Sequence, residues 1–359
     1  MRKNLLMMAV ILLTALMANA ETSQTVTATL NHDGNATIFI GGNGMRDALN
    51  AAVDGDAIIL SPGTFNAVNI TKAVTLRGAG APMLTVPGDT IKPIDGTYIS
   101  GDMSINIETT EGKLSIEGCQ FNNKVSFIKA PATDVFKTRI AEVPRLSKDV
   151  ASINFTHCMV FFNDGRTSDQ LNDLNQHTSM LNTAAFFGYF FNPFINATNC
   201  LITGDRSQTF NYFSSAAGGG QLINCIILFP YNSGYYYSLS ANCVAYNCVA
   251  CTKKSFNNYN SSESKIENFF QYSYNGTNQA FHNLTLFNDE DVVPSYPFTL
   301  TEEAAAKYLG NDGTQVGIHG GALPMDPIPD NLLVTRCNIA PKTTPTGKLS
   351  IEIQVSTAK

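Results

Sequence analysis

The sequence lacks tryptophan, has few charged residues and has no long apolar run beyond its first 20 residues. Charged residues make up 14% of the 359 residues, so much of the surface must be neutral and polar. No later stretch reaches the roughly 20 apolar residues that a membrane-spanning helix needs. The formal net charge of −6 disfavours nucleic acid or anionic lipid as the main partner. We therefore expect that the protein has no nucleic-acid partner and that it is not an integral membrane protein.

The first 20 residues have the features of a signal peptide. Arg2 and Lys3 precede the apolar run Leu5–Met17, and the sequence Ala-Asn-Ala that ends at Ala20 fits a small-x-small cleavage site. Cleavage after Ala20 would remove two basic residues and make the net charge −8. The leader predicts a secreted, periplasmic or cell-surface protein.

The chain contains eight cysteines, which in an exported protein would ordinarily indicate disulfides. Five of them follow Asn, Gly or His in one repeated pattern with apolar flanks; they are Cys119, Cys158, Cys200, Cys225 and Cys248. A sixth copy, Phe281–Leu286, has Leu284 in the cysteine position, which predicts a slot for a small or medium apolar side chain. We expect the five thiols to stack as a buried column, because buried cysteine behaves as a small hydrophobe. A disulfide formed by Cys243 or Cys251 and a metal site are the open alternatives.

The residues before these cysteines predict bends, because Gly, Asn and His tolerate positive φ. The expected bends are Gly118, His157, Asn199, Asn224, Asn247 and Asn283, with spacings of 39, 42, 25, 23 and 36 residues. Repeats of 20–50 residues with one strand unit each are typical of solenoids. Short strands joined by such bends favour a parallel β-helix over a sandwich. The longer spacings are expected to hold extra loops of roughly 12 to 18 residues.

Both ends of the chain contain segments that differ from the repeat. Residues 44–55 predict a short helix that caps the solenoid, with Ala48, Leu49, Ala52 and Val53 turned inward. Thr301–Leu309 predicts a second short helix with Thr301 as its N-cap, and Lys348–Val355 alternates like an edge strand. We therefore divide the chain into a signal peptide (1–20), a parallel β-helix with its N-terminal cap (21–293) and a C-terminal cap or docking tail (294–359).

Residues 47–80, "DALNAAVDGDAIILSPGTFNAVNITKAVTLRGAG", resemble the start of right-handed parallel β-helix proteins of the pectin-lyase-like superfamily. The Asn-Cys repeats extend the resemblance over roughly residues 44–290, and "DGTQVGIHGG", Asp312–Gly321, is similar to the end of secreted bacterial β-helix proteins. The resemblance implies an all-β, right-handed parallel β-helix solenoid. It does not settle function, since the superfamily includes lyases, hydrolases, epimerases, tailspikes and adhesins.

The resemblance supplies no complete catalytic set. The hydrolase motifs Asn-Thr-Asp, Asp-Asp and Gly-His-Gly are absent. Kinship with the lyases of the superfamily would imply an Arg or Lys that acts as the base, together with calcium. Arg139 and Arg145, in a predicted basic loop (124–148), are the candidates for the base. We expect no cofactor, except calcium if the chain is a lyase. The alternative interpretation of residues 124–148 is a solvated loop with scattered charge and no catalytic role.

A predicted insertion carries the other candidates for chemistry. Asp169, Asp173 and His177 recur every four residues, so a helix would align them on one face. Asp205 and Arg206 follow the next repeat and are expected on the same side. A metal or acid–base site is one interpretation of this group. A solvated helical loop with a local ion pair is the other.

A cluster of tyrosines predicts ligand binding. The residues are Tyr231, Tyr235, Tyr236 and Tyr237. Exposed tyrosines offer flat rings for stacking on sugars and hydroxyls for hydrogen bonds, although an aromatic ladder packed on the surface is the alternative. The sequence therefore predicts an exported β-helix protein that binds carbohydrate, a polysaccharide or glycan, or acts as an adhesin-like surface module. The competing hypothesis is a divergent polysaccharide lyase or glycoside hydrolase.

Overall fold

The computed structural model describes most of the repeat region and parts of the C-terminal segment. The described residues are 26–81, 96–144, 146–147, 149–162, 178–187, 194–204, 219–229, 243–252, 269–270, 277–281, 285–287, 298–325, 333–339 and 351–356. Within these ranges no helix has the length and apolar character needed to cross a membrane.

Two sheets of 11 strands each dominate the structure, and both are mainly parallel. The first sheet contains, in spatial order, β2 (Asn35–Ile40), β1 (Thr27–His32), β3 (Ala57–Leu60), β5 (Thr75–Arg77), β8 (Lys113–Glu117), β10 (Ala132–Phe136), β12 (Ile153–Thr156), β14 (Thr178–Leu181), β16 (Phe194–Thr198), β18 (Gly219–Ile223) and β20 (Cys243–Tyr246). Only β1 pairs antiparallel there, with β2 and β3. From β3 onward each strand lies parallel to the next, so the first sheet continues in one direction through the repeat region.

The second sheet is built from the strands that alternate with those of the first. It contains β22 (Gln279–Phe281), β21 (Val249–Thr252), β19 (Ile226–Phe229), β17 (Leu201–Gly204), β15 (Ala184–Phe187), β13 (Met159–Phe162), β11 (Arg139–Val143), β9 (Cys119–Lys129), β6 (Thr97–Ser100) and β4 (Gly63–Asn66), while β7 (Met103–Asn106) pairs with β9. A separate antiparallel pair is formed by β23 (Leu333–Ile339) and β24 (Ile351–Ser356). The expected all-β, mainly parallel architecture is confirmed, and it is consistent with a β-helix-like solenoid.

Consecutive strands of the two sheets share one core. We call a first-sheet strand, its bend and the following second-sheet strand a rung. Alternating side chains of both strands point into a single apolar cluster, for example Ile116 and Phe121 in one rung and Phe155 and Val160 in another. The period-two alternation of strands therefore gives each rung one buried and one outward row on each sheet.

The N-terminal end of the first sheet is covered by α1, Gly44–Ala51, which packs against β1 to β4. Met45, Ala48 and Leu49 are buried on its inner face. The helix begins at the expected residue but ends before Gly55. Val53 is 51% exposed, so its predicted inward position is wrong. The chain has already left the helix at Ala52, which adopts an extended conformation.

The bends are single residues with left-handed backbone conformation. Gly118, His157, Asn199, Asn224 and Asn247 all have φ between 50° and 63°. Lys137 and Asn182 occupy the same position in two further rungs, with φ of 46° and 44°. The prediction that extra loops account for the spacings of 39 and 42 residues is therefore wrong. Each spacing contains a complete additional rung, β10–β11 in the first and β14–β15 in the second.

The residue after each bend forms a continuous inward column. The strand registers place nine residues side by side in this column: Thr97, Cys119, Thr138, Cys158, Thr183, Cys200, Cys225, Cys248 and Asn278. Gln279 pairs with Val249, so Asn278 lies beside Cys248, whereas Asn283 and Leu284 of the predicted sixth copy lie outside the described residues. The predicted apolar slot is wrong, because each of these nine occupants carries a group that can hydrogen-bond.

The column side chains complete the hydrogen bonds of the bend. The backbone N–H of Cys158 donates to Thr183 Oγ1 (3.3 Å), and that of Cys248 donates to Asn278 Oδ1 (2.9 Å). The Cys225 N–H donates to Cys248 Sγ (3.4 Å) in the same way. An orphaned buried N–H is costly. The column therefore requires a small side chain that accepts a hydrogen bond.

Residues 298–325, here called the C-terminal strap, pack against the outer face of the second sheet. Phe186, Leu201 and Ile226 on that face share an apolar cluster with Phe298 and Val316 of the strap. Both faces of these second-sheet strands are thus buried, which explains their nearly continuous apolar sequences. The strap also contains α2, Glu302–Lys307, whose Ala304 N–H donates to Thr301 Oγ1 as predicted for an N-cap (3.1 Å).

The strap is held by side chains at the bends. Asn182 Nδ2 donates to the carbonyls of Ile318 (2.9 Å) and Gly320 (2.7 Å). Asn224 exchanges hydrogen bonds with Asn311, accepting from its N–H and donating to its Oδ1. A Cβ on Gly321 would lie 2.2 Å from Asn199 Nδ2, and this residue also has a φ of +83°. The motif Asp312–Gly321 is therefore a packing element of the strap.

Thr183→Val tests the polar requirement of the column. The valine preserves shape but leaves the Cys158 N–H without its acceptor, so we expect a loss of about 1–3 kcal/mol in the free energy of unfolding. Thr29→Val is the matched control, because the Thr29 hydroxyl makes no hydrogen bond among the described residues; it should stay within about 0.5 kcal/mol. Urea titration measures both. Equal values for the two variants would contradict the role of the column.

Asn182→Ala tests the attachment of the strap. It removes both bonds to strap carbonyls and places alanine at positive φ, so we expect a loss of about 2–4 kcal/mol. Asn247→Ala has the same bend geometry, with a φ of 50°, but no side-chain bond to the strap, and should lose about 1 kcal/mol. Urea titration with limited proteolysis of the strap distinguishes them. A similar loss in both would show that backbone strain alone matters.

Candidate functional site

The cysteine column offers no accessible nucleophile. The seven cysteines whose side chains are described are all free and buried, including Cys243 and Cys251. Burial raises the pKa of the Cys119 and Cys158 thiols to about 12. Because the thiolate is the reactive form, these groups are unsuited to nucleophilic or redox chemistry. Among the described residues no group of three or more His, Cys, Asp or Glu side chains converges as a metal site.

Arg139, one of the two predicted lyase bases, lies on β11, whereas the other residues predicted for catalysis and aromatic binding lie outside the described residues. They are Arg145, Asp169, Asp173, His177, Asp205, Arg206, Tyr231, Tyr235, Tyr236 and Tyr237. Most belong to segments 163–177, 205–218 and 230–242, each of which follows a second-sheet strand and precedes a first-sheet strand. The asparagine bends make the opposite connection. These predictions stay predictions.

The predicted basic loop at 124–148 is wrong, because most of this segment is strand. It contains the end of β9 and all of β10 and β11. Lys124 pairs with Glu142 (3.7 Å), and Lys129 pairs with Glu108 (2.5 Å). Lys137 is the buried bend residue. The described lysines of this segment are therefore distributed over different faces and do not converge on one site.

A groove of about 640 Å³ lies on the outer face of the first sheet. It crosses β8, β10, β12, β14 and β16 at right angles to the strands. Its outward lining residues are Ser115, Glu117, Asp134, Phe136, Asn154, Thr156, Ser179, Leu181, Asn196 and Thr198. Unlike the second sheet, this face is not covered by the strap. The groove is therefore the candidate site among the described residues.

One side of the groove is a polar row. Strand pairing aligns its five members, Ser115, Asp134, Asn154, Ser179 and Asn196. Neighbouring strands are about 4.8 Å apart, so the row extends for roughly 19 Å. Because these positions are on paired strands, their spacing is set by the backbone of the sheet. The row presents hydroxyl, carboxylate and amide groups at regular intervals.

Hydrogen bonds link three members of the polar row. Asn154 Nδ2 donates to Asp134 Oδ1 (2.9 Å), and the Ser179 hydroxyl donates to Asn154 Oδ1. Lys113 Nζ lies 2.5 Å from the other carboxylate oxygen, Asp134 Oδ2. Partial burial opposes ionisation of Asp134, but the bonds from Asn154 and Lys113 outweigh it and lower the carboxyl pKa. Asp134 is therefore an anion at neutral pH.

The other side of the groove is a mixed row with apolar members. Glu117, Phe136, Thr156, Leu181 and Thr198 are aligned there by the same strand pairs. Glu117 pairs with Arg77 (2.7 Å) on the neighbouring strand β5. The Phe136 ring packs against His157, with centroids 5.5 Å apart. The groove thus places apolar surface directly beside hydrogen-bonding groups.

The geometry of the groove favours binding over acid–base chemistry. Hydrolysis of a glycosidic bond requires one carboxyl group with a raised pKa to protonate the leaving group. The pKa of Asp134 is instead lowered. Glu117, the other carboxylate of the lining, is held by the guanidinium of Arg77. Neither group has the environment of a general acid.

The groove also does not fit calcium, the metal that the lyase interpretation implied. Calcium takes six to eight oxygen ligands, several of them carboxylates. Asp134 and Glu117 stand in different rows, and each already faces a cationic side chain. A divalent cation would have to displace Lys113 or Arg77. No step through calcium follows from these residues.

Sequence reasoning missed this groove although its signal was present. Some first-sheet strands alternate apolar and polar residues, as in Leu114-Ser-Ile-Glu117 and Ile153-Asn-Phe-Thr156. The polar positions align only once the two additional rungs are recognised. Assigning residues 124–148 to a loop removed Asp134 from the row.

The described thiols should resist modification in the native protein. A Cys337→Ser variant contains seven cysteines, all of them buried. We expect fewer than one of these thiols to react with a disulfide reagent before unfolding, because burial suppresses the thiolate. All seven should react in denaturant, as measured by absorbance. Rapid native labelling would show that the column is accessible.

Comparison of the chain with protein-family models, curated protein sequences and solved structures found no match.

Proposed function

We propose that the groove on the first sheet binds a carbohydrate chain. The observation that carries the proposal is the polar row, Ser115 to Asn196, lying beside the apolar surface of Phe136 and Leu181. A sugar ring presents hydroxyls at its edge and C–H groups on its faces, so it needs both kinds of surface. Pockets for small ligands likewise combine apolar walls with a few placed polar groups.

The direction of the groove favours an extended chain over a single sugar. The row crosses five strands, and its members recur at the strand spacing of about 4.8 Å. A polysaccharide lying along the groove would meet a new polar side chain at each strand. Each contact is weak by itself, but several in series on one chain raise the affinity.

The proposed biological setting follows from the leader and the architecture. We infer that the chain is exported, with residues 1–20 removed. We also infer a right-handed winding, because crossovers between parallel strands of one sheet are right-handed in about 98% of cases. Kinship with the pectin-lyase-like superfamily belongs to the same proposal, supported by residues 47–80 and the repeated bends. A non-catalytic glycan-binding or adhesin-like role fits these features.

Binding by isothermal titration calorimetry tests the proposal. The probes are hexasaccharides of β-1,4-glucan, β-1,4-mannan, β-1,4-galactan and α-1,4-glucan, each also oxidised at C6 to its carboxylate form. We expect at least one probe to bind the mature protein. The double variant Asn154→Ala/Ser179→Ala should weaken that binding about tenfold, since it removes two or more hydrogen-bonding groups.

Ser126→Ala is the matched control for this experiment. Ser126 is a partly buried serine on β9, away from the groove, and is paired with Ser104 of β7. Its removal should leave affinity unchanged. Failure of all probes to bind would reject the proposed function. Equal loss in the control would place the binding surface elsewhere.

A further inference from the structure

We infer that the groove selects an uncharged glycan that donates hydrogen bonds, and that it rejects polyuronates. This inference rests on the proposed function and names the ligand class of the same site. Two independent features carry it. One is the direction of the hydrogen bonds along the polar row, and the other is the charge of the lining residues.

The amide of Asn154 has a fixed orientation. Its Nδ2 group faces Asp134 and its Oδ1 accepts from Ser179. Chemistry sets this assignment, because an ionised carboxylate only accepts hydrogen bonds and so requires the NH₂ group. The Ser179 hydroxyl hydrogen is thereby used on Asn154. Its oxygen lone pairs remain as acceptors toward the groove.

Asp134 also retains capacity to accept. One oxygen accepts from Asn154 and the other from Lys113. A carboxylate has about four lone-pair sites, so about two remain for a ligand. Asp134 and Ser179 together make the centre of the row rich in acceptors. A ligand that brings O–H donors is therefore favoured over one that brings acceptors.

The charge of the lining points the same way. The residues that line the groove include two carboxylates, Asp134 and Glu117, and no Lys or Arg. The paired cations Lys113 and Arg77 are side chains of the flanking positions. A uronate carboxylate lying in the groove would face these anions without a cation among the lining residues, and at the centre of the row it would meet the acceptor oxygens of Asp134 and Ser179. An ammonium group is disfavoured as well, because Lys113 already occupies that place beside Asp134.

Paired glycans isolate the effect of ligand charge. Each neutral hexasaccharide named above is compared with its C6-oxidised form, which keeps the backbone and adds carboxylates. We expect the neutral form to bind at least about fivefold more tightly, the factor that one repulsion between unit charges near 4 Å gives in water. The difference should shrink as salt is added, because exposed charges are screened.

Variants of the protein assign the selectivity to Asp134. Asp134→Asn removes the charge with little change of shape and should reduce the preference for the neutral form to less than about twofold. Glu108→Gln is the matched control, since Glu108 is a mostly exposed carboxylate paired with Lys129 away from the groove; it should leave the preference unchanged. Thermal unfolding checks that both variants are folded.

The outcomes separate the two proposals. Tighter or equal binding of the oxidised forms would overturn the inference while the proposed function stood. Binding of no probe of either kind would reject the proposed function itself. A preference for neutral forms that survives Asp134→Asn, or that changes in Glu108→Gln, would also overturn the assignment of the selectivity to Asp134.

Discussion

The backbone N–H that follows each bend is the constraint on which the rest of the structure depends. A single left-handed residue turns the chain from one sheet to the other, and the next N–H then faces the side chain of the neighbouring rung. A thiol, hydroxyl or amide at that place satisfies it, as Cys158, Thr183 and Asn278 illustrate. An apolar residue would leave a buried donor without a partner. The column therefore holds successive rungs in one register, and that register aligns the outward rows.

The bend residue has two roles, which explains why asparagine is used more often than glycine. It must adopt positive φ, which asparagine tolerates at a modest cost. Its side chain then projects outward, where Asn182 and Asn224 bind the C-terminal strap. Gly118 meets only the first requirement. The strap in turn buries the outer face of the second sheet, so the two sheets differ: one is a packing surface, and the other keeps its polar outer face with the groove.

Much of the fold follows from local sequence, whereas the groove depends on register between distant strands. The Asn-Cys pairs reveal bends because the same two residues recur at the same structural position. The rungs of Thr138 and Thr183 were missed because a hydroxyl replaces the thiol there, and Lys137 is an unusual residue for positive φ. Asp134 and Asn154 are 20 residues apart yet hydrogen-bonded. No local pattern shows this contact until the number of residues in each rung is known.

A binding site on paired strands has a physical advantage over one on insertions. The Asn154 amide is fixed on one side by Asp134 and on the other by Ser179, so little side-chain entropy is lost when a ligand arrives. The same fixation limits what can bind. The Asn154 amide cannot flip, and the Ser179 hydroxyl cannot turn its hydrogen toward a ligand, without breaking these bonds. Lys113 stabilises the Asp134 anion from the edge without entering the row. The selectivity that we propose thus arises from hydrogen bonds within the protein, before any ligand is present.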